Sequence, residues 1–231
     1  MSQDARATEP TNRPTGINPL VATQAGAPYM ASRDDILRAV RTNLPPPADL
    51  PEIEARGIVY ADLPKQFAAM VEAVGGRCVF AADLAEVNRT LTAMPEVMTA
   101  LKIVSLVHGV GMPNVDLNDV NDPHELADVD FAVLPGRFGV AENGAVWVTD
   151  EGVKHRAIAF IAQHLALVIP TADILDNMHQ AYERLAFAKP GFGVFISGPS
   201  KTADIEQSLV IGAHGPRSLT VFCVGAKLDT H

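Results

Sequence analysis

The 231-residue chain has only two cysteines, Cys78 and Cys223. Each lies in a short apolar run, RCVFA and LTVFCV, where a thiol reads as buried core rather than as part of a disulfide framework. Two thiols fall short of the about four thiolates that hold an iron–sulfur cluster, so an electron-transfer role requires the metal to sit on another protein. No apolar stretch approaches the roughly 20 residues needed to span a bilayer. The first residues also lack a basic segment followed by an apolar one, so the expectation is a cytoplasmic protein. Positive charge is scarce: 18 Lys and Arg against 27 Asp and Glu give a formal net charge of -9. The resulting pI near 5.2 excludes a general nucleic-acid or anionic-membrane binder. Two motifs are missing as well. The Gly-x-x-x-x-Gly-Lys-Ser/Thr spacing of a phosphate-binding loop is absent. The seven histidines show no His-x-x-x-His pair, so His108, Asp116 and His124 share a polar stretch without a zinc-binding spacing.

Apolar residues, by contrast, are plentiful: 48% of the chain is hydrophobic and 19% charged, enough for one large core. Residues 1–31, rich in Thr, Pro, Asn, Gly and Gln, read as an arm without a core of its own. Ser32 with Asp35 forms a capping-box signal, and Ile36, Leu37 and Val40 make the apolar stripe of a helix that Pro45, Pro46 and Pro47 terminate. This helix and its Pro-rich linker, residues 32–57, are free to pack at the edge of the domain or on a neighbouring subunit of a homo-oligomer.

From residue 58 helices and strands alternate. Helix 63–74 stops at Gly75 and Gly76. Strand 77–81, helix 83–94 capped by Asp83, and an almost wholly apolar strand 101–107 follow. After a polar connection come strand 131–134 and a hairpin over 138–149 that turns at Asn143-Gly144. Strands 165–169, 193–197 and 219–224 are separated by helices over 172–187 and 203–211. The alternation predicts a mainly parallel, right-handed α/β sheet with the hairpin as an insertion.

The stretch SGPSKTADIEQSLVIGAHGPR carries the clearest ligand chemistry. Ser197, Gly198, Ser200, Lys201 and Thr202 form a small-residue loop between a strand and a helix. The unpaired N–H groups at such a helix start suit an anion, and Lys201 adds a charge. Asp204 and Glu206 are acids favoured by the helix dipole, or partners that orient Lys201. Gly215 and Pro216 are stop signals, leaving His214 and Arg217 as solvated cap residues or the edge of a polar pocket. The same residues are also what a well-capped helix after a Gly-Pro turn requires. In FGVAENGAVWVTD, Glu142 precedes a type I′ turn made by Asn143 and Gly144. A carboxylate at the mouth of an apolar hairpin is a candidate base or covalent nucleophile. Trp147, the only tryptophan, is a core anchor or pocket wall. His164 at a strand start and His179 in a helix read as packing residues or as members of the polar pocket.

ISGPSKTADIEQSLVIGAHGPRSLTVFCV is similar to the C-terminal signature of the LUD-domain family, the lactate-utilisation protein C-like proteins. FGVAENGAVWVTD resembles that family's central motif, although many members have Asp or Glu followed by Thr-Gly where this chain has Glu142-Asn143-Gly144. The resemblance spans residues 58–224. It implies a Rossmann-like, mainly parallel sheet of the ribose-phosphate isomerase and CoA-transferase type with a β-hairpin insertion. It also implies a non-cluster subunit or accessory protein in a system oxidising L-lactate to pyruvate, with iron–sulfur clusters on partner proteins and no cofactor on this chain. On that basis the Ser-Gly-Pro-Ser-Lys-Thr loop is expected at the carboxyl end of a parallel strand, holding a small carboxylate together with Asn143, Gly144 and Arg217. A narrower resemblance links Glu142-Asn143-Gly144 to the Ser-Glu-Asn-Gly of CoA-transferases, with Ala141 replacing the Ser. It keeps open an acyl-transfer enzyme with Glu142 as nucleophile. A non-catalytic binding or regulatory module is the third reading.

Overall fold

A computed structural model describes residues 32–49, 57–185, 191–203 and 209–225. The chain divides into two units, Met1–Glu52 and Ile53–His231. The arm over residues 1–31 lies outside the described residues. In the first unit, Ser32 accepts from the Asp35 amide and closes a capping box at the start of α1 (Arg33–Thr42). None of the α1 side chains is buried.

The second unit is built around a five-stranded parallel sheet. Helix α2 (Leu63–Ala73) is capped by Asp62, whose side chain accepts from the Lys65 amide. Then come β1 (Arg77–Ala81), α3 (Leu84–Thr92), α4 (Pro95–Met98), β2 (Ile103–Ser105) and β3 (Phe131–Pro135). The hairpin consists of β4 (Phe138–Val140) and β5 (Ala145–Thr149). After it run α5 (Ile158–Ile161), β6 (His164–Pro170), β7 (Ile174–Leu175), α6 (Met178–Arg184) and β8 (Gly193–Ile196). The chain closes with β9 (Lys201–Ala203), β10 (Leu209–Ile211) and β11 (Ser218–Val224). The main sheet has the order β1-β11-β6-β3-β2, and every pairing in it is parallel. Its central strands β6 and β11 are continuous apolar runs, as strands covered on both faces require. One core packs α2, α5 and Leu165, Leu167, Leu219 and Val221. A second packs α3 and α4 against Phe131, Ala166, Val168 and Phe222. Alternate residues of the same strands serve the two cores, which is the period-two geometry of a strand.

The expected hairpin insertion falls between β3 and β6 and belongs to a second, four-stranded sheet of order β7-β4-β5-β8. Three expectations need correction. The segment over 172–187 is helical only in α6. Ile174 and Leu175 pair instead with Gly139 and Val140, and the helix starts late because Asn177 is its cap, accepting from the Gln180 amide. Residues 83–94 are helical only to Thr92, with α4 starting at Pro95, where proline favours a first turn. The segment over 203–211 begins and ends as strand: β9 pairs antiparallel with β10, Thr202 opposite Val210. β-branched residues at those positions suit a pleated pair. The residues between them, Asp204 and Glu206 included, lie outside the described residues.

Candidate functional site

The ligand loop follows β8, and β8 pairs antiparallel with β5. It is therefore not at the carboxyl end of a parallel strand, as the sequence suggests. Backbone hydrogen bonds tie it to the opposite end of the main sheet. The Ser200 amide donates to Pro216 O at 2.9 Å, Gly212 N to Ser200 O at 2.9 Å, and Arg217 N to Gln163 O at 2.7 Å. Gln163 and Arg217 immediately precede the neighbouring parallel strands β6 and β11, whose first residues, His164 and Ser218, stand in register. The two loops and α5 thus enclose a cleft over the amino ends of the two central strands.

The cleft has two adjoining lobes that share Phe160, His214 and Gly215. The polar lobe, about 480 Å³, is also lined by Gln163 and Arg217. The second, about 290 Å³, is walled by Ala159, Leu165, Ile196, Pro216 and Leu219, with Ser200 and Lys201 at its border. No Asp or Glu is among the described lining residues of either lobe. Arg217 is placed by Gly212, which has φ +74 and lies against its aliphatic stem. A Cβ on Gly212 would come within 2.5 Å of Arg217 Cγ. The exposed side chains of Arg217 and His214 have no hydrogen-bonding or ion-pair partner among the described residues. Phe160 is held edge-on to Phe192, with centroids 6.4 Å apart, and the Arg156 guanidinium lies 5.1 Å over the Phe192 ring.

The structure therefore gathers Gly198, Ser200, Lys201, His214 and Arg217 and leaves the other candidates elsewhere. Lys201 reaches the lobe, but its ammonium donates to Val74 O at the C-cap of α2, where a cation complements the helix dipole. Thr202 Oγ1 donates within its own hairpin to Val210 O at 3.4 Å. At the tip of the other hairpin, Glu142 is exposed, and its Oε2 accepts from the Met178 amide, the first of α6, at 2.8 Å. Asn143 Oδ1 accepts from the Ala145 amide, and Asn143 O accepts from Ser197 Oγ at 2.8 Å. Gly144 adopts φ +65 directly against the Met70 and Val71 backbone. Glu142 and Lys201 make no ion pair: each is bonded to a different element. His164 sits behind the cleft, its Nδ1 2.8 Å from Ser218 Oγ. His179 is an exposed residue of α6.

Sequence reasoning passed over Gln163 and Phe160. Their one signal is position: Gln163 precedes a strand just as Arg217 does, but only knowledge that β6 and β11 are neighbours makes the two meaningful together. It noted His108 only beside Asp116 and His124, and not the Gly-rich turn after β2 in which His108 lies. There a cavity of about 400 Å³, lined by Ser105, His108 and Gly109, opens at the carboxyl end of the sheet. Asn88 holds that turn, donating to Gly109 O and accepting from Gly111 N.

Among the described residues no three His, Cys, Asp or Glu side chains are grouped to hold a metal. His124 bonds its near neighbour Asp122 at 2.6 Å. The amide and ring of His124 hold the Asp122 carboxyl below its ordinary range. Cys78 and Cys223 lie on adjacent strands with their sulfurs 3.7 Å apart. The contact lowers the Cys78 thiol, whereas Cys223, which shares it and is buried, is pushed up. This pair supplies half the thiolates of a typical cluster of about four and does not fit one.

Residues 115–224 match the model of the LUD domain. This stretch is similar to the LUD domain. The match starts after β2, so it is narrower than the span of resemblance in the sequence, yet it contains every lining residue of the cleft. Among curated relatives, lactate utilization protein C of Shouchella clausii is 33% identical over 126 residues, 50% of this chain and 54% of that protein. Lactate utilization protein C 1 of Bacillus mycoides is 34% identical over 93 residues, covering 38% and 40% respectively. The chain thus spans about half or less of the length of these relatives. A crystal structure of a DUF162 family protein from Deinococcus radiodurans superposes with a TM-score of 0.52 at 18% identity. It covers 71% of this chain and 96% of that one and shows a shared fold. The second unit is thus an α/β domain with a central parallel sheet, and among the described residues no helix is long and apolar enough to cross a membrane.

Proposed function

We propose that this LUD-domain protein serves L-lactate utilisation in the cytoplasm as a non-cluster component, and that the cleft over the amino ends of β6 and β11 holds a small carboxylate. The names of the relatives supply the system. The observation that carries the ligand class is the polar lobe: among the described residues Arg217 and His214 line it without partners, Gln163 adds an amide, and no carboxylate opposes them. An unpaired guanidinium presents donors in a fork that matches a carboxylate. The Arg217 guanidinium takes the role that the sequence assigns to helix-start amides. Iron–sulfur centres in such a system belong to partner proteins, consistent with two thiols locked together between strands.

The test is calorimetry with lactate and pyruvate on the full chain and on Arg217→Ala. Binding to the wild type and at least tenfold weaker binding to the variant support the reading, since a hydrogen bond to a charged group contributes about 1.5–3 kcal/mol. Binding unchanged by the substitution places the carboxylate elsewhere. An acyl-transfer role for Glu142 has less support: its carboxylate is bonded at the start of α6 and lines neither lobe.

A further inference from the structure

We infer that the cleft selects monocarboxylates with an apolar tail, 2-hydroxy or 2-oxo acids of five or six carbons, over lactate and pyruvate. This rests on the carboxylate reading of the polar lobe and concerns the lobe beside it. The two lobes differ in their lining and adjoin at Phe160, His214 and Gly215. A ligand whose head pairs with Arg217 and His214 has its other end directed past Phe160. There the walls are Ala159, Leu165, Ile196, Pro216 and Leu219. Leu165 and Leu219 are nearly inaccessible, at 1% and 2% exposure, so they form a fixed floor continuous with the core. Phe160, 40% exposed, is a large apolar side chain left in contact with water at the junction. An aliphatic tail would cover it.

Size points the same way. The lobes measure about 480 and 290 Å³, in or near the range of ~300–1,000 Å³ typical of sites for drug-sized ligands. A three-carbon acid leaves the apolar lobe to water that finds few partners there. Each methylene that replaces such water is expected to raise affinity about fourfold, the equivalent of ~0.8 kcal/mol per buried CH₂. Lys201 does not oppose an apolar tail, because its ammonium is directed to Val74 O.

The experiment is calorimetry on the full chain with lactate, 2-hydroxypentanoate, 2-hydroxyhexanoate and 2-hydroxy-4-methylpentanoate, repeated with their 2-oxo counterparts. It is then repeated on Ala159→Val and Ile196→Phe, which narrow the apolar lobe from two sides, and on Arg217→Ala. Thermal melts of the unliganded variants establish that each is folded. The expected result is affinity that rises at least tenfold from lactate to the six-carbon acids. That gain with chain length should be lost in at least one folded lobe variant. All the acids should depend on Arg217. Lactate binding as tightly as the longer acids overturns the tail inference and leaves the carboxylate reading standing. A gain with chain length that survives both lobe variants also overturns it, since the tail then lies elsewhere. Failure of every acid to bind overturns both.

Discussion

Ser197 Oγ donates a 2.8 Å hydrogen bond to the carbonyl oxygen of Asn143, joining the loop after β8 to the tip of the β4–β5 hairpin. Both residues were candidates for one ligand site, and the bond between them shows why they form a structural tie instead. The hydroxyl and the carbonyl satisfy each other, and neither lines the cleft. Ser197→Ala is expected to cost about 0.5–1.5 kcal/mol and to leave carboxylate affinity unchanged. Urea unfolding and calorimetry on the same preparation check both. A loss of binding without a loss of stability would return Ser197 to the site.

Glu142 is expected to behave as a helix-capping acid. Glu142→Gln retains an oxygen acceptor for the Met178 amide and should lose only about 0.3–1 kcal/mol, the value of a negative charge near a helix start. Glu142→Ala should lose about 1 kcal/mol. Incubation with acetyl-CoA, propionyl-CoA and lactate followed by peptide mass spectrometry should find no acyl or CoA adduct at Glu142. An adduct there reinstates the acyl-transfer reading.

Gly144 is confined both by its φ of +65 and by space. A Cβ would lie 2.7 Å from Val71 N and 2.8 Å from Met70 C, which belong to the backbone of α2 and cannot yield as a side-chain end could. Gly144→Ala is therefore expected to cost about 2–3 kcal/mol through strain and overpacking. In a chain of this size that lowers Tm by ~5–10 °C. A melting temperature within 2 °C of wild type would show that the hairpin tip is not seated on α2.

The two thiols should react differently. The hydrogen bond with Cys223 holds the Cys78 thiol below its ordinary range, so the half-buried Cys78 gains thiolate character at a lower pH than an unperturbed cysteine. Cys223 is raised, first by the same contact and then by burial. Iodoacetamide labelling of the native protein should modify Cys78 first, with its rate rising from below the ordinary thiol range. Cys223 should label only on unfolding. In Cys223→Ser the hydroxyl can still donate, so the preference for Cys78 should persist, whereas Cys223→Ala should slow labelling of Cys78 at neutral pH. Equal labelling of both thiols in the folded protein contradicts this picture.

Periodicity and punctuation made much of the fold legible. The apolar runs of β6 and β11, the Ser32 and Asp83 caps, and the Asn143-Gly144 turn are local, since each depends on residues within one or two turns of chain. What failed had distant causes. Ile174 and Leu175 are strand because Gly139 and Val140 pair with them, and Val210 is strand because Thr202 lies across from it. No local pattern announces a partner eight or more residues away, so propensity alone favoured helix in both places.

The site divides along the same line. Residue chemistry alone was enough to single out Ser200, Lys201, His214 and Arg217 as polar groups around Gly-Pro turns, and composition alone disfavoured nucleic acid and a cluster of its own. Which of them share a cavity was decided by strand order: placing β11 beside β6 sets Arg217 next to Gln163 and both beside α5. The fold also sets the Lys201 ammonium on Val74 O and the Glu142 carboxylate on the Met178 amide, each at a helix end. Chain sequence determines what each residue can bind, and only the tertiary arrangement determines which of those bonds are already made.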